Sequence, residues 1–201
     1  MTELEDLALR LDSRDRNEAG LALGELISRG PAAIPVLTQA SRSDSADVRA
    51  LALEGLAAIA DPTTLDDLRR ALEDADGRVR SLAAVALNRL GAPDALDALL
   101  LTLDDWPDLK RSDMSKSTYE LAASGPRALP VAIPLLASDR WTTRAKGVWI
   151  IRRILSRHPD RTDLARLGKI MAGFDARDDS GQGRERAAQA ASAWLAQWQG
   201  P

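Results

Sequence analysis

Apolar residues recur at helical spacing in short stretches, and Gly, Pro and clusters of Asp or Ser punctuate the breaks between them. The clearest stretches form a tandem duplication. Asp47 to Leu72 (DVRALALEGLAAIADPTTLDDLRRAL) aligns with Arg78 to Leu103 (RVRSLAAVALNRLGAPDALDALLLTL) at a spacing of roughly 31 residues. Val48 matches Val79, Arg49 matches Arg80, Ala52 matches Ala83 and Leu56 matches Leu87. Pro62 matches Pro93, Leu68 matches Leu99 and Leu72 matches Leu103. The matches span both halves of the unit and predict a two-helix module. In each copy a first helix ends near Ala60 or Gly91, and a second begins at the following proline and runs to Glu73 or Leu103.

The flanking pattern predicts further helices of the same kind. Residues 2–12 and Asn17 to Arg29 read as one pair, closed by Gly30-Pro31, a helix stop followed by a restart. Pro31 to Ala40 reads as a short helix, with Pro35 in its first turn or shifting its start. Beyond the duplication, Asp104 to Arg111 is a longer polar connection, followed by a weaker helix over Ser112 to Ser124. Gly125-Pro126 repeats the earlier stop, and GPRALPVAIPLL at 125–136 echoes GPAAIPVL at 30–37. Asp139 to Arg157 is the most strongly periodic helix. Arg161 to Phe174 reads as the next, Ala176 to Gly183 as a mobile loop, and Arg184 to Trp198 as a terminal Ala-rich helix. The pattern predicts about twelve helices in about six antiparallel pairs, each burying its apolar face only against its neighbours.

Composition narrows the function classes. Aromatic residues make up 3% of 201, and Ala and Leu supply most of the apolar set, which favours closely packed helices over sheets. With no cysteine, disulfides and thiolate metal sites are excluded. The acidic start and the absence of a long apolar run predict no signal peptide, no membrane span and a cytoplasmic location. The net charge of -3 disfavours tight non-specific nucleic-acid binding. It hides an asymmetry: the first hundred residues carry 18 acids and 11 bases, the remainder 12 and 16.

The duplicated unit resembles a HEAT repeat, of the HEAT-like type also found in phycobilin lyase subunits. The residues that carry the resemblance are DGRVRSLAAVALNRLG at 76–91 and DSADVRALALEGL at 44–56, with Thr143-Arg144 echoing the same turn. The resemblance implies an all-α fold, a right-handed α-solenoid forming a single domain over 1–201, with the Val-Arg helices on its concave side. It also implies a ladder of turn acids and helix-start arginines, with Asp44 paired to Arg49, an acid at 74 or 76 to Arg80, and Asp139 to Arg144. Ala19 and Met114 stand where the arginine would be in two other pairs, which suits a capping repeat and an inserted loop.

Aligning the second helix of each pair gives outward rows. One row, Gly24, Glu54, Val85, Tyr119 and Trp149, grows more aromatic toward the C-terminus. The row one turn earlier (Gly20, Ala50, Ser81, Ser115, Ala145) is small throughout, and Arg89, Lys116, Arg152 and Arg153 border the aromatic end. The partner-binding residues expected on this basis are Val85, Arg89, Lys116, Tyr119, Trp149, Arg152 and Arg153. Trp106 in the long connection is a second candidate. Each has a plainer reading beside it: Tyr119 and Trp149 as core of an irregular repeat, the arginines as a solvated face, and Trp106 as cover for the inserted loop. Trp194 and Trp198 share one helix face and are expected to close the end of the array.

Catalytic chemistry finds little support. The single histidine, His158, sits at a helix end before Pro159, where a capping role suffices. No nucleophile triad, phosphate loop or metal-ligand spacing occurs, so neither a cofactor nor a metal is expected. The expected function is a non-enzymatic protein–protein interaction module, an adaptor, scaffold or inhibitor holding a protein or peptide on its concave face. The alternative is a nucleic-acid-binding protein resembling the HEAT-like DNA glycosylases, favoured by Trp106, Asp108, Tyr119, Trp149 and the basic C-terminal half.

Overall fold

The computed structural model describes residues 2–105, 114–177 and 182–200, the side chains of 182–184 excepted, and among these it is all-α, an α-solenoid of helix pairs without strands. Its contacts cluster into two compact units, Met1–Ser117 and Thr118–Pro201.

Unit 1 holds α1 (Glu3–Arg10), α2 (Arg16–Ser28), α3 (Ile34–Ala40), α4 (Ala46–Ile59), α5 (Leu65–Ala71), α6 (Gly77–Arg89) and α7 (Ala95–Leu101). Side-chain oxygens start most of the longer ones. Thr2 and Glu5 form a reciprocal capping box on α1, while Asp15, Ser45 and Asp76 cap α2, α4 and α6. The corners are left-handed, at Gly30 (φ 58°) and Gly91 (φ 69°). In the first copy of the duplication Ala60 takes the same conformation at φ 55°. Pro31 and Pro62 then open 3-10 turns, Gly30–Ala33 and Pro62–Thr64, that lead into α3 and α5. Pro35 lies in the first turn of α3, one of the two placements its sequence allowed.

Helix α4 packs against α2, α3 and α6, and α6 packs against α4, α5 and α7. Helix α4 is buried at Val48, Ala52, Leu53, Gly55, Leu56 and Ala57. Helix α6 is buried almost all round, without a break from Ser81 to Asn88. Part of its cover is the start of α8 (Lys116–Ala123) and the residue just before it. Ser117 Oγ lies 3.1 Å from Ser81 Oγ and 2.7 Å from Thr102 Oγ1, and Ser115 Oγ donates to Leu103 O at 2.6 Å. These buried hydroxyls satisfy one another, so the segment can lie on α6 without stranding polar groups.

An arginine ladder ties the turns together, in a register that differs from the one expected. Arg49 forks onto Asp74 (2.7 and 2.8 Å), and Arg80 forks onto Asp105 (2.8 and 2.6 Å). Each arginine also donates through Nη1 to two carbonyls of its own turn, Ser43 and Asp44 for Arg49, Asp74 and Ala75 for Arg80. The acid of the same turn, Asp44, therefore contributes its backbone, and the carboxylate comes from the following turn. Arg42–Asp67 and Arg69–Asp94 repeat the same offset on the second helices of the pairs. Two-pronged guanidinium–carboxylate pairs fix orientation as well as charge.

These pairs make unit 1 acid-sensitive. The Arg49 hydrogen bond, helped by the Asp76 backbone N–H, holds the Asp74 carboxyl below the usual carboxylate range, and Arg69 does the same to Asp94. A carboxyl lowered by folding stabilises the fold above its unfolded pKa, about 3.9, and loses that contribution as pH falls through the lowered value. Asp74→Asn is expected to cost about 1–2 kcal/mol at neutral pH. It should also flatten the loss of stability below about pH 4, as read by urea titrations across pH.

Unit 2 holds most of α8, then α9 (Leu129–Ala132), α10 (Trp141–Arg157), α11 (Ala165–Ala172) and α12 (Gln182–Gln197). The segment that echoes 30–37 in sequence folds as a 3-10 turn (Gly125–Ala128), the one-turn α9 and a second 3-10 stretch, Ile133–Ala137. Pro134 lacks the N–H that would bond the carbonyl of Pro130, so the α-helix cannot continue. Helix α10 packs on the Ile133–Ala137 stretch and on α11, and α12 packs on the same stretch and on α11. Trp194 is buried and stacks on Trp198, whose Nε1 donates to Asp163 Oδ2 at 2.9 Å. The two rings thereby fasten α12 to the start of α11. His158 is the C-cap of α10.

Candidate functional site

Helices α8 and α10 bring Tyr119 and Trp149 together. The rings meet edge to face, with centroids 5.1 Å apart and planes at 83°. That geometry sets the positive edge of one ring against the negative face of the other and is worth about 0.5–1.5 kcal/mol beyond burial. The pair is not core: Tyr119 is 41% exposed and Trp149 half-buried. On α10, Val148, Ile150 and Ile151 face inward, which leaves Trp149 at the margin of the buried stripe.

A pocket of about 260 Å³ opens beside the rings, lined by Tyr119, Glu120, Ala122, Ala123, Trp149, Arg153 and Arg157. Ala122 and Ala123 keep its floor low, and Arg153 and Arg157 supply positive charge on one side. Both arginines are exposed, and neither makes an ion pair among the described residues. Glu120 places one carboxylate on the rim. The arrangement can hold a flat or branched apolar group against two rings while bonding an anionic group through guanidinium N–H donors.

The expected site residues separate under this geometry. Tyr119, Trp149 and Arg153 come together. Arg152, one position away, turns elsewhere: its Nη2 donates to the carbonyls of Met171 (2.9 Å) and Phe174 (3.1 Å), in the last turn of α11 and just beyond it. Val85 is 2% exposed and belongs to the core, which corrects its assignment to a binding surface. Its row was expected to face outward, but α6 is covered on that side too, as Ser81 and Asn88 also show. In unit 1, Arg89 is exposed and Lys116 Nζ lies 3.6 Å from Glu54 Oε1. Trp106, with Asp108, lies outside the described residues. Arg157 and Glu120 were missed. Arg157 stands four residues after Arg153 and eight after Trp149, a spacing that places all three on one face of a helix.

Among the described residues, no group of three or more His, Asp or Glu side chains could hold a metal ion. Among the described residues no helix is long and apolar enough to cross a membrane.

The structure resembles an engineered protein at 18% identity, covering 98% of each chain with a TM-score of 0.45. It resembles the complex of CpcE and CpcF of phycocyanin lyase from Nostoc sp. PCC7120 at 21% identity, covering 92% of this chain and 97% of that one, with a TM-score of 0.42. A designed armadillo repeat protein in complex with the peptide (KR)4 matches at 20% identity, covering 96% of this chain and 100% of that one, with a TM-score of 0.45. No curated protein matches the chain at a significant level. The family described as HEAT repeats matches residues 34–114, the segment that contains both copies of the duplicated module. The repeat pattern over residues 34–114 is therefore similar to that of HEAT repeats.

Proposed function

We propose that the protein is a non-enzymatic interaction module that holds a protein or peptide partner, with the Tyr119–Trp149 pocket as the anchoring point. The observation that carries this reading is the edge-to-face pair of exposed Tyr119 and half-buried Trp149 beside two arginines that make no ion pair among the described residues. Exposed aromatic rings packed rigidly against each other lose little entropy on binding, and Tyr, Trp and Arg dominate interface energetics. The HEAT repeats at 34–114 support the same reading, since such solenoids commonly serve as protein-binding scaffolds. Within that reading the partner lies along the concave side of the repeats, and Arg153 and Arg157 take the charged role.

The test uses the full chain as bait in a native cell extract. Tyr119→Ala is expected to lower the affinity for the captured partner about tenfold, the size of a typical aromatic anchor. Tyr119 is 41% exposed and its ring pair is worth about 0.5–1.5 kcal/mol, so the variant should stay folded and melt a few degrees below the wild type. A partner retained with unchanged affinity would remove the pocket from the interface.

A further inference from the structure

We infer that the Tyr119–Trp149 pocket takes an extended acidic peptide, with one apolar side chain against the two rings and carboxylates at the second and fourth residues beyond it held by Arg153 and Arg157. This rests on the interaction-module reading and names the chemistry of the partner.

Spacing carries the argument. Trp149, Arg153 and Arg157 stand four residues apart on α10 and form one row along its face. At 1.5 Å rise per residue, successive members of the row are about 6 Å apart along the axis. An extended peptide presents side chains on one face every second residue, about 6.6 Å apart. The two periods agree to within about 1 Å per step, so an anchor followed by alternate acids meets the ring pair and both guanidiniums in order.

Charge points the same way. Seven other arginines, Arg42, Arg49, Arg69, Arg70, Arg78, Arg80 and Arg161, are paired with aspartates, while Arg153 and Arg157 make no ion pair among the described residues. Unit 2 carries 13 Lys and Arg against 8 Asp and Glu, a surplus that steers acidic segments toward it. Two arginines with a carboxylate on the rim form too short a positive stripe for a nucleic-acid strand.

The probe is a fluorescein-labelled synthetic peptide with a leucine anchor and glutamates at the second and fourth following positions, in a serine–glycine background. It is titrated into the full chain by fluorescence anisotropy. Moving both glutamates one position toward the anchor keeps the charge and turns them to the opposite face; affinity is expected to fall at least about fivefold. Arg153→Ala combined with Arg157→Ala is expected to weaken binding of the matched peptide about tenfold while leaving the melting curve unchanged. Equal binding of the two peptides, or unchanged binding by the double variant, overturns the inference. So does displacement of the peptide by an equal concentration of a short single-stranded oligonucleotide. A captured protein whose binding needs Tyr119 but survives loss of both arginines would overturn this inference and leave the module reading standing. A partner indifferent to Tyr119 would remove both.

Discussion

Arg144→Met is expected to lower the unfolding free energy of unit 2 by about 3 kcal/mol or more, measured by urea titration followed through tryptophan fluorescence. Arg144 is 0% exposed, the largest fully buried side chain in the described structure. Its Nη1 donates to Ser138 O (3.0 Å) and Asp139 O (2.8 Å), and its Nε donates to Ala176 O (3.0 Å). It thus holds the turn before α10 to the segment after α11. Methionine fills much of the volume but leaves those carbonyls short of donors away from water. Leaving a buried acceptor unpaired costs about 1–3 kcal/mol, and three are at stake. Lysine should recover only part of the loss. Its ammonium can reach the neighbouring carbonyls of Ser138 and Asp139, but it lacks the planar fork that also serves Ala176. A change below about 1 kcal/mol for Arg144→Met would mean that water replaces the guanidinium without cost.

Gly147→Leu is expected to destabilise unit 2 by about 3 kcal/mol or more, and Gly147→Ala by about 1–2 kcal/mol. Alanine normally stabilises a helix interior relative to glycine by up to about 1 kcal/mol, so the predicted sign is the reverse of propensity. The reason is the close approach of α10 to the Ile133–Ala137 stretch. A Cβ at position 147 would lie 2.8 Å from Leu135 Cβ and 3.3 Å from Ala132 O. A Cβ is fixed to its backbone and cannot swing aside, so the two elements would have to separate. Gly24 on α2 provides the control, because a Cβ there meets nothing within 4 Å. Gly24→Ala should therefore stabilise, by about 0.5–1 kcal/mol, in the same urea assay. Opposite signs at the two positions would locate the close packing; equal signs would dismiss it.

Much of the repeat architecture is legible in the sequence, for local reasons. The Gly-Pro and Ala-Asp-Pro corners, the Asp and Ser caps and the helical spacing of Val48, Ala52 and Leu56 all act within a few residues of one another. What escaped depends on contacts between distant segments. Arg49 and Arg80 announce a ladder, but their carboxylates sit 25 residues ahead, because the pairing crosses from one turn to the next. Val85 continues an outward row by periodicity, and its burial reflects cover over α6 that no local pattern reveals. The fracture at Pro134 could have been read, since a proline within a helical run removes a needed donor. The site was half legible. Tyr119, Trp149 and Arg153 emerged from the alignment of helices. Arg152 and Arg153 could not be told apart, because only the packing of α11 claims the first and leaves the second free of ion pairs.

The most direct measurement places a photo-crosslinking benzoylphenylalanine at position 119 of the full chain in living cells. A second chain carries it at position 21, where the leucine is also exposed. An aromatic photoprobe preserves the ring that faces Trp149, so the pocket keeps its anchor. The interaction-module reading predicts a discrete protein adduct from position 119, absent from position 21 and lost when Arg153 and Arg157 are both replaced by glutamate. No adduct at position 119, equal adducts at both positions, or an adduct to nucleic acid would contradict it.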